Sequence, residues 1–562
     1  MGGVAKRICL TGLPVLMGLL LCLSALPAPA SASNGHDKSS LVRKHHRYRF
    51  AHGTPWQVAG DRIDLGSLAA FYRQRQFAPV WIDGNGVRAE ADQLIAELGR
   101  VEEQGLNLFA YHLPQILQRR SADAGYRLAE LDLLLSDAYL RYCRDVRGGQ
   151  SDPRKVDPDW HVISERLDHL DVLQQALSSG TFQELLGDLT PREPMYRQLR
   201  QALKRYRDIA ARGGWPTVSP GIILKPGMVH PSVRRLRERL RVSGDFFSPV
   251  DGGDHYDLYL EIAVRNFQAR HGLKVDGEIG PRTRAALNMP VGKKIRRILV
   301  NLERWRWMPR ELPERHLLIN MAAFELQAIE NHESKMKMRV IVGKSYRSTP
   351  AFAEEMTHMV LNPYWKIPTK IAVEDLLPRI NDNPGILAKL GIKVFDSWRR
   401  GARELDPQAV DWSQLGEDFF PLQLRQDPGP ANALGRIKFI FPNQFAVYMH
   451  DTPHRHLFEK TVRTFSSGCI RVERPMTLAE YLMRGDLFWN DYALFEAVQS
   501  KENMAIALPE PVPVYLVYWT AWAERDGTVH FRNDVYERDE SLISDLQRLR
   551  MADFGTVRRQ PL

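Results

Sequence analysis

The sequence predicts an α+β protein of several domains. We expect a helical N-terminal scaffold, a small three-helix bundle and a mainly-β C-terminal domain with a helical insertion. Apolar residues recur every three or four positions in the first half of the chain, whereas short β-branched runs bounded by turns begin near residue 295. With 562 residues, 44% of them hydrophobic and 26% charged, the chain is globular and long enough for two to four domains.

Residues 1–32 have the three parts of a secretory signal peptide. A positive region precedes an apolar stretch, and a Pro-Ala-Pro-Ala-Ser-Ala run predicts cleavage after Ala32. We therefore expect export to the periplasm or cell envelope, with a membrane anchor as the alternative if the segment stays uncleaved. Residues 33–55 are polar and basic without periodicity, which predicts a flexible basic tail.

Cleavage would leave two of the four cysteines, Cys143 and Cys469. A disulfide between them is one alternative, because exported proteins commonly use cysteine in pairs. Cys143, however, follows a helical apolar stripe and reads as a small residue flanking a helix core. Cys469 is then a lone thiol, which asks for a chemical explanation.

The formal net charge of +10 also limits the choice of partners. A basic exported protein suits an anionic envelope polymer or a membrane surface. Nucleic acid is the other partner of basic proteins, and predicted export argues against it.

Residues 56–215 show helical periodicity with short connections and predict the scaffold domain. A Pro- and Gly-rich linker, "WPTVSPGIILKPG", ends it. Residues 228–292 predict three short helices, the third of which begins at Pro281, where proline is favoured.

Residues 295–518 predict the β domain, with strands such as "MKMRVIVGK" and "IKFIFPN". Helical pieces and a loop interrupt it at about 370–430, and insertions of this kind often act as lids over sites. Residues 519–562 form a C-terminal extension that ends in a predicted helix.

The stretch "TVRTFSSGCIRVERP" places Cys469 at a glycine turn beside arginines. A thiol needs a base or a positive field to become a nucleophile. Arg471 is a candidate for the field and His450, at a predicted strand end, for the base. Gly468 allows a tight bend that turns backbone N–H groups toward a developing oxyanion.

Two other interpretations remain open at this point. His450, His454 and His456, with Asp451, offer ligands for zinc, although their spacing matches no established motif. Alternatively, Cys469 is a buried structural cysteine beside a surface histidine. For an isolated Cys–His pair, that second interpretation would be favoured.

Longer motifs favour a catalytic role for Cys469 over a structural one. "FPNQFAVYMHDTPHRHLF" followed by "RTFSSGCIRVERP" resembles the YkuD catalytic domain of L,D-transpeptidases, and "VRNFQARHGLKVDGEIGPRTRAALN" resembles the peptidoglycan-binding domain of type 1. Stretches including "LNPYWKIPTKIAVEDLLP" extend the similarity to the YcbB type, which combines a helical scaffold, a peptidoglycan-binding module and a lid. The resemblance runs over nearly the whole mature chain.

This resemblance implies a role for each residue that matches the motif. Cys469 would be the nucleophile and His450 the general base and acid, while the main-chain carbonyl of Asp451 would orient His450. The backbone at Gly468 would contribute to the oxyanion hole. Many YkuD domains have a second histidine where this chain has Ser467, so the role of base rests on His450 alone.

Five residues are candidates for binding substrate. Their alternative roles are to brace the loop, to form part of the strand or to fill the core. These candidates are Ser466, Ser467, Arg471, Tyr448 and Trp365.

The resemblance implies 3→3 cross-linking of peptidoglycan stem peptides through a cysteine thioester, in cell wall biogenesis and the maintenance of cell shape. It implies no metal or other cofactor, and acylation by carbapenems. Expected partners are the stem peptides, the glycan and other wall-synthesis enzymes. The alternatives are an L,D-carboxypeptidase, a transferase that anchors a lipoprotein, or a non-catalytic wall-binding scaffold.

Overall fold

The structure, a computed structural model, describes residues 37–52, 57–58, 61–121, 123–163, 168–248 and 252–557, without the side chains of residues 65 and 552–557. The predicted signal peptide lies outside the described residues. Within the described part of the chain, no helix has the length and apolar character needed to cross a membrane.

The N-terminal region is helical, as expected. Its long central helix buries the predicted apolar stripe, Leu128, Leu131, Leu135, Ala138 and Tyr142. In chain order, its elements are α1 (Lys38–His52), β1 (Gln57–Val58), β2 (Asp61–Arg62), α2 (Leu65–Gln74), α3 (Ala89–Leu98), α4 (Leu113–Arg119), α5 (Gly125–Gly148), α6 (Pro153–Val156), α7 (His169–Ser179), α8 (Phe182–Asp188) and α9 (Pro194–Ala211).

The prediction of a flexible tail at residues 33–55 is wrong for the residues that form α1. Val42 and His46 of this helix are fully buried, and the His46 imidazole lies 3.3 Å from the Ala129 carbonyl of α5. The helix docks through these two positions and through Phe50, which packs against the rings of Tyr72 and Phe77, in an otherwise basic segment. Because one of the two fully buried residues is a histidine, the apolar periodicity that signals a docked helix is missing from the sequence.

The next module is the expected bundle of three helices, α10 (Pro231–Val242), α11 (Leu258–Arg270) and α12 (Pro281–Asn288). Pro281 is the first residue of α12, and the turn before that helix places Gly277 at a φ of +76°, a conformation that favours glycine. The bundle has its own core, formed by residues that include Val233, Leu236, Leu240, Leu260, Val264 and Phe267.

The C-terminal half contains the strands. In chain order, its elements are α13 (Val291–Arg306), β3 (Arg315–Asn320), β4 (Glu325–Glu330), β5 (Glu333–Gly343), β6 (Phe352–Leu361), β7 (Trp365–Lys366), α14 (Thr369–Ile371), α15 (Leu377–Asp382), α16 (Ile386–Lys389), β8 (Ile392–Phe395), β9 (Glu404–Leu405), β10 (Gln423–Gln426), β11 (Ile437–Ile440), β12 (Met449–His450), β13 (Thr464–Ser466), β14 (Ile470–Val472), α17 (Pro475–Leu482), α18 (Asp491–Gln499), β15 (Met504–Val517), β16 (Ala521–Ala523), β17 (Val529–Phe531) and α19 (Asp539–Val557).

Nine of these strands form one sheet in the order β13-β5-β14-β12-β11-β6-β15-β3-β4. β4 also pairs with β5, which closes eight of the strands into a ring. Inside this ring sheet, β12 runs antiparallel to β11 and parallel to β14. The two strands that carry the predicted site are therefore direct neighbours.

The insertion is a small domain with its own core, formed by residues such as Ile367, Ile380, Val394 and Leu424. The expected helical pieces are α14, a π-helical turn at Ala372–Leu376, α15 and α16. The insertion also contains a four-stranded antiparallel sheet in the order β7-β10-β8-β9, which was not predicted from the sequence. Its strands have only two to four residues, too few for an alternating pattern to stand out.

Candidate active site

The nucleophile candidate follows a tightly braced turn between β13 and β14. Gly468 has a φ of +115°, a conformation that side chains rarely adopt. The Ser466 hydroxyl donates to the Cys469 carbonyl at 2.5 Å and accepts from the Gly468 N–H at 3.2 Å. The Thr349 hydroxyl donates to the Gly468 carbonyl at 2.8 Å. These bonds fix the backbone that carries the thiol.

His450 reaches the same site from the neighbouring strand. In the parallel pairing of β12 with β14 it lies opposite Arg471, two residues beyond Cys469. Its Nδ1 lies 2.5 Å from the main-chain carbonyl of Asp451, which can only accept, so Nδ1 carries the proton and Nε2 is left as the basic nitrogen. This is the contact that the resemblance implies for Asp451.

The carbonyl that orients His450 is itself held in place. The Asp451 carboxylate accepts from the Arg436 N–H and from the Arg455 guanidinium, both at 2.9 Å. The imidazole is 5% exposed, and this burial, with the charge of Arg471, lowers the pKa of His450 to about 3. The imidazole is therefore neutral at pH 7 and able to take up a proton.

Cys469 is a partly exposed free thiol that lines the same cavity as His450. One hydrogen bond of the thiol goes to the Ala446 carbonyl, at a Sγ···O distance of 3.9 Å. Burial raises the pKa of the thiol, while the Tyr448 hydrogen bonds and the charges of Lys438 and Arg471 lower it. The resting pair is thus a thiol and a neutral imidazole rather than an ion pair.

The cavity has a volume of about 480 Å³ and lies between the nucleophile turn and the insertion. The insertion side contributes Trp365, Pro368, Lys370, Ile371, Asp375 and Leu376. The insertion thus forms part of the cavity wall, which is where a lid over the site is expected to lie.

Of the five candidates for binding substrate, Arg471 is the best placed. It lines the cavity, and its buried Nε has no hydrogen-bond partner among the described residues. Tyr448 also lines the cavity, with the Lys438 ammonium 3.8 Å from the centre of its ring. Trp365 lines the cavity and also packs against the core of the insertion, so its position is compatible with both of its candidate roles.

The two serines act differently. Ser466 lines the cavity but is 2% exposed, and both its hydrogen bonds brace the turn that carries the nucleophile. Its role in binding substrate stays a prediction. The Ser467 hydroxyl accepts from the Arg347 guanidinium at 2.9 Å. The Gly468 N–H is likewise taken by Ser466, whereas the N–H groups of Ser467 and Cys469 have no hydrogen-bond partner among the described residues.

Sequence reasoning missed three residues that shape the site. Lys438 supplies positive charge to the thiol from β11, Thr349 braces the turn, and Arg347 links the turn to the insertion. The signal for Lys438 was a lysine inside an otherwise apolar strand, "IKFIF". The other two lie in a polar stretch after β5 that carries no signal of its own.

The disulfide and the zinc site, which the sequence left open as alternatives, gain no support from this geometry. Cys143 is fully buried and, like Cys469, is not part of a disulfide. No group of three or more His, Cys, Asp and Glu side chains in the described ranges is placed to hold a metal ion.

Three family models match the chain. The model described as "L,D-transpeptidase catalytic domain", YkuD, matches residues 314–491. The model described as "Putative peptidoglycan binding domain" matches residues 229–287, and the one described as "Scaffold domain" matches residues 66–203.

Two known proteins are similar to the chain. A protein of Haemophilus influenzae named "Putative L,D-transpeptidase" is 24% identical over 478 residues, which cover 84% of this chain and 78% of that protein. The crystal structure of an L,D-transpeptidase from Xylanimonas cellulosilytica covers 53% of this chain and 100% of its own, with 15% identity and a TM-score of 0.17.

The family matches agree with the site geometry and with the expected enzyme class. The domain boundaries beyond the matched ranges and the assignment to the YcbB type stay predictions. The chain contains a YkuD L,D-transpeptidase catalytic domain, together with a peptidoglycan-binding domain of type 1.

Proposed function

We propose that this protein is an exported peptidoglycan L,D-transpeptidase of the YcbB type, which forms 3→3 cross-links through a thioester at Cys469. The observation that carries the proposal is the meeting of thiol and neutral imidazole in one cavity under the insertion. A peptidoglycan-binding domain in the same chain supports a wall polymer as substrate. Acylation of Cys469 by carbapenems is part of the proposal.

The first half-reaction consumes the donor stem. His450 Nε2 takes the thiol proton, and the sulfur attacks the carbonyl carbon of the third residue. The Cys469 N–H stabilises the oxyanion as negative charge develops on the carbonyl oxygen. The C–N bond to the terminal D-Ala breaks, His450 returns the proton to the leaving nitrogen, and a thioester remains.

The second half-reaction releases the product. The side-chain amine of a second stem attacks the thioester carbon, and the C–S bond breaks. The nitrogen gives up one proton through His450, and the sulfur takes up one, which restores the thiol. Arg471 is positioned to donate a hydrogen bond to an oxygen atom of the donor stem, because its buried Nε has no hydrogen-bond partner among the described residues.

The test uses the mature protein with disaccharide-tetrapeptide fragments and mass spectrometry of the products. A dimer that lacks one D-Ala, absent with Cys469→Ala and present with Cys143→Ala, would establish transpeptidation through Cys469. Monomer that has only lost D-Ala would identify the carboxypeptidase instead. No conversion by a folded wild type would favour the non-catalytic scaffold.

Transfer to a lipoprotein is tested by adding a lysine-ended peptide as acceptor. If this peptide is joined to the stem in preference to a second stem, the protein is an anchoring transferase. The same cysteine serves all of these reactions, so only the product distinguishes them.

A further inference from the structure

Cys469 lies on the boundary between two cavities. The second cavity, of about 300 Å³, shares only Phe445, Ala446, Ser467 and Cys469 with the cavity described above. Its remaining walls come from the loop after β5, from Val447 before β12, from Gly468 in the turn before β14 and from the helical scaffold. The nucleophile thus lines both cavities.

The two cavities differ in charge. The first is rich in cations, with a wall that includes Lys344, Arg347, Lys370 and Arg471. The second has no lysine or arginine in its wall, and its one carboxylate is that of Asp159. Its other titratable side chains are His161 and Cys469 itself. The first cavity therefore favours negatively charged groups, and the second favours a positively charged group.

Asp159 belongs to the scaffold and reaches the site through a strand-like contact with the start of β6. The Ala351 N–H donates to the Asp159 carbonyl at 2.8 Å, and the His161 N–H donates to the Ala351 carbonyl at 2.7 Å. Side chains alternate along such an extended segment. Trp160 is therefore buried, 5.2 Å from the ring of Trp307, while Asp159 and His161 line the cavity.

One oxygen of the Asp159 carboxylate is anchored. Oδ2 accepts from the Ser348 hydroxyl at 2.6 Å and from the Arg538 guanidinium at 2.5 Å. Oδ1 has no hydrogen-bond partner among the described residues, and the side chain is 44% exposed. The result is a carboxylate held in a fixed orientation with one oxygen available to a donor.

We propose that this second cavity is the subsite for the acceptor stem and that Asp159 of the scaffold binds the acceptor's primary ammonium group. The proposal rests on the function proposed above and names the residue that recognises its second substrate. The ammonium donates to Oδ1 and is held near Cys469. It then loses one proton to water, and the neutral nitrogen forms the C–N bond to the thioester carbon as the C–S bond breaks. A second proton passes from the nitrogen through His450 to the sulfur, which restores the thiol.

The experiment separates the two substrates. The donor is a tetrapeptide stem whose side-chain amine is acetylated, so it cannot act as acceptor. The acceptor is a tripeptide stem with a free amine, which lacks the terminal D-Ala and cannot act as donor. Intact-protein mass spectrometry gives the rate of Cys469 acylation, and product analysis gives the ratio of cross-linked to hydrolysed donor as acceptor concentration rises.

For Asp159→Asn we expect the acceptor concentration at half-maximal cross-linking to rise by about five- to tenfold, as for the loss of one charged hydrogen bond. The acylation rate should stay within about twofold of wild type. Hydrolysis should take a larger share of the thioester. Added salt should weaken acceptor binding in the wild type and much less in the variant.

Control variants separate recognition from structural support. Asp159→Glu retains the charge and should restore most of the acceptor dependence. Glu184→Gln removes an exposed charge elsewhere on the scaffold and should behave as wild type. A purely structural role for Asp159 would instead lower acylation and acceptor use together, along with the unfolding temperature.

The outcomes are distinct. If the wild type cross-links and Asp159→Asn keeps its acceptor dependence, or loses acylation equally, the assignment of the second cavity is overturned while the proposed function stands. If the folded wild type only hydrolyses the donor, the cross-linking function fails, and the acceptor subsite fails with it.

Discussion

Arg347 joins the insertion to the nucleophile turn, and its replacement should open the first cavity. Its Nη1 donates to Asp375 at 2.6 Å and to the Ser467 hydroxyl at 2.9 Å. Its Nη2 donates to Asp375 at 3.0 Å and also to Glu374. The Arg347 side chain is 8% exposed, so these bonds are shielded at the guanidinium.

The size of the effect follows from these contacts. Hydrogen bonds to charged groups contribute about 1.5–3 kcal/mol each when buried. Glu374 and Asp375 are 40% and 35% exposed, so each ion pair is screened to about 1 kcal/mol or less. Together with the hydrogen bond to Ser467, these ion pairs sum to about 2–3 kcal/mol. Arg347→Met should therefore reduce the free energy that favours the closed position of the insertion by that amount, which lowers the ratio of closed to open molecules roughly 30- to 150-fold.

Hydrogen exchange tests this directly. Amides in residues 369–382 should exchange faster in Arg347→Met, while those of the ring sheet should not change. Arg347→Lys keeps the charge but lacks the planar fork that reaches three acceptors, so it should give an intermediate result. Arg403→Met is the matched control, since Arg403 is 80% exposed on the insertion.

Unchanged exchange in residues 369–382 of Arg347→Met would show that Arg347 does not hold the insertion closed. A loss of protection across the whole ring sheet would contradict this role equally, since it would make Arg347 a general support of the fold. Acylation of Cys469 by the donor should slow in Arg347→Met, because an open cavity holds the donor less well.

Three further predictions concern the base, the thiol field and the scaffold contact. Because the pKa of His450 is about 3 in the folded protein and near 6.5 in the unfolded chain, the unfolded chain binds more protons between these pH values. Acidification from pH 6.5 to 5 should therefore lower the free energy of unfolding of the wild type by about 2 kcal/mol more than that of His450→Asn, as measured by denaturant unfolding. An equal loss in both proteins would contradict this. Lys438→Met should move the pH midpoint of Cys469 alkylation upward, because a nearby positive charge that lowers the thiol pKa is removed; an unchanged midpoint would show that Lys438 exerts no field there. Trp160→Ala should lower the unfolding temperature by roughly 10 °C, whereas Trp398→Ala, at a site 46% exposed, should have little effect; similar small shifts would count against a packed scaffold contact.

The pairing of Cys469 with His450 was predictable because both residues lie in one compact motif. The contact of Asp451 with the imidazole followed from the same motif. The bracing role of Ser466 was not predictable, because it depends on the direction of one hydroxyl in the turn. Short motifs identify residue types and order, but not which hydrogen-bond partner each group takes.

In the fold, too, some features could be predicted from the sequence and others could not. The apolar stripe of α5 was sufficient to predict a buried helix. α1 was missed because it buries a single aliphatic side chain and a histidine. The contribution of Asp159 to the site was also unpredictable, since it depends on a pairing between a scaffold segment and Ala351 of the distant β domain.

The core of the ring sheet has a consequence for how the chain can be divided. Leu199 and Leu203 of α9 and Trp160 belong to the same buried cluster as the strands of the catalytic domain. A fragment cut at the start of the matched catalytic range would expose that surface to water and lose the wall that carries Asp159. The catalytic domain and the second half of the scaffold thus share one hydrophobic core, and we expect a cut between them by recombination or proteolysis to destabilise both.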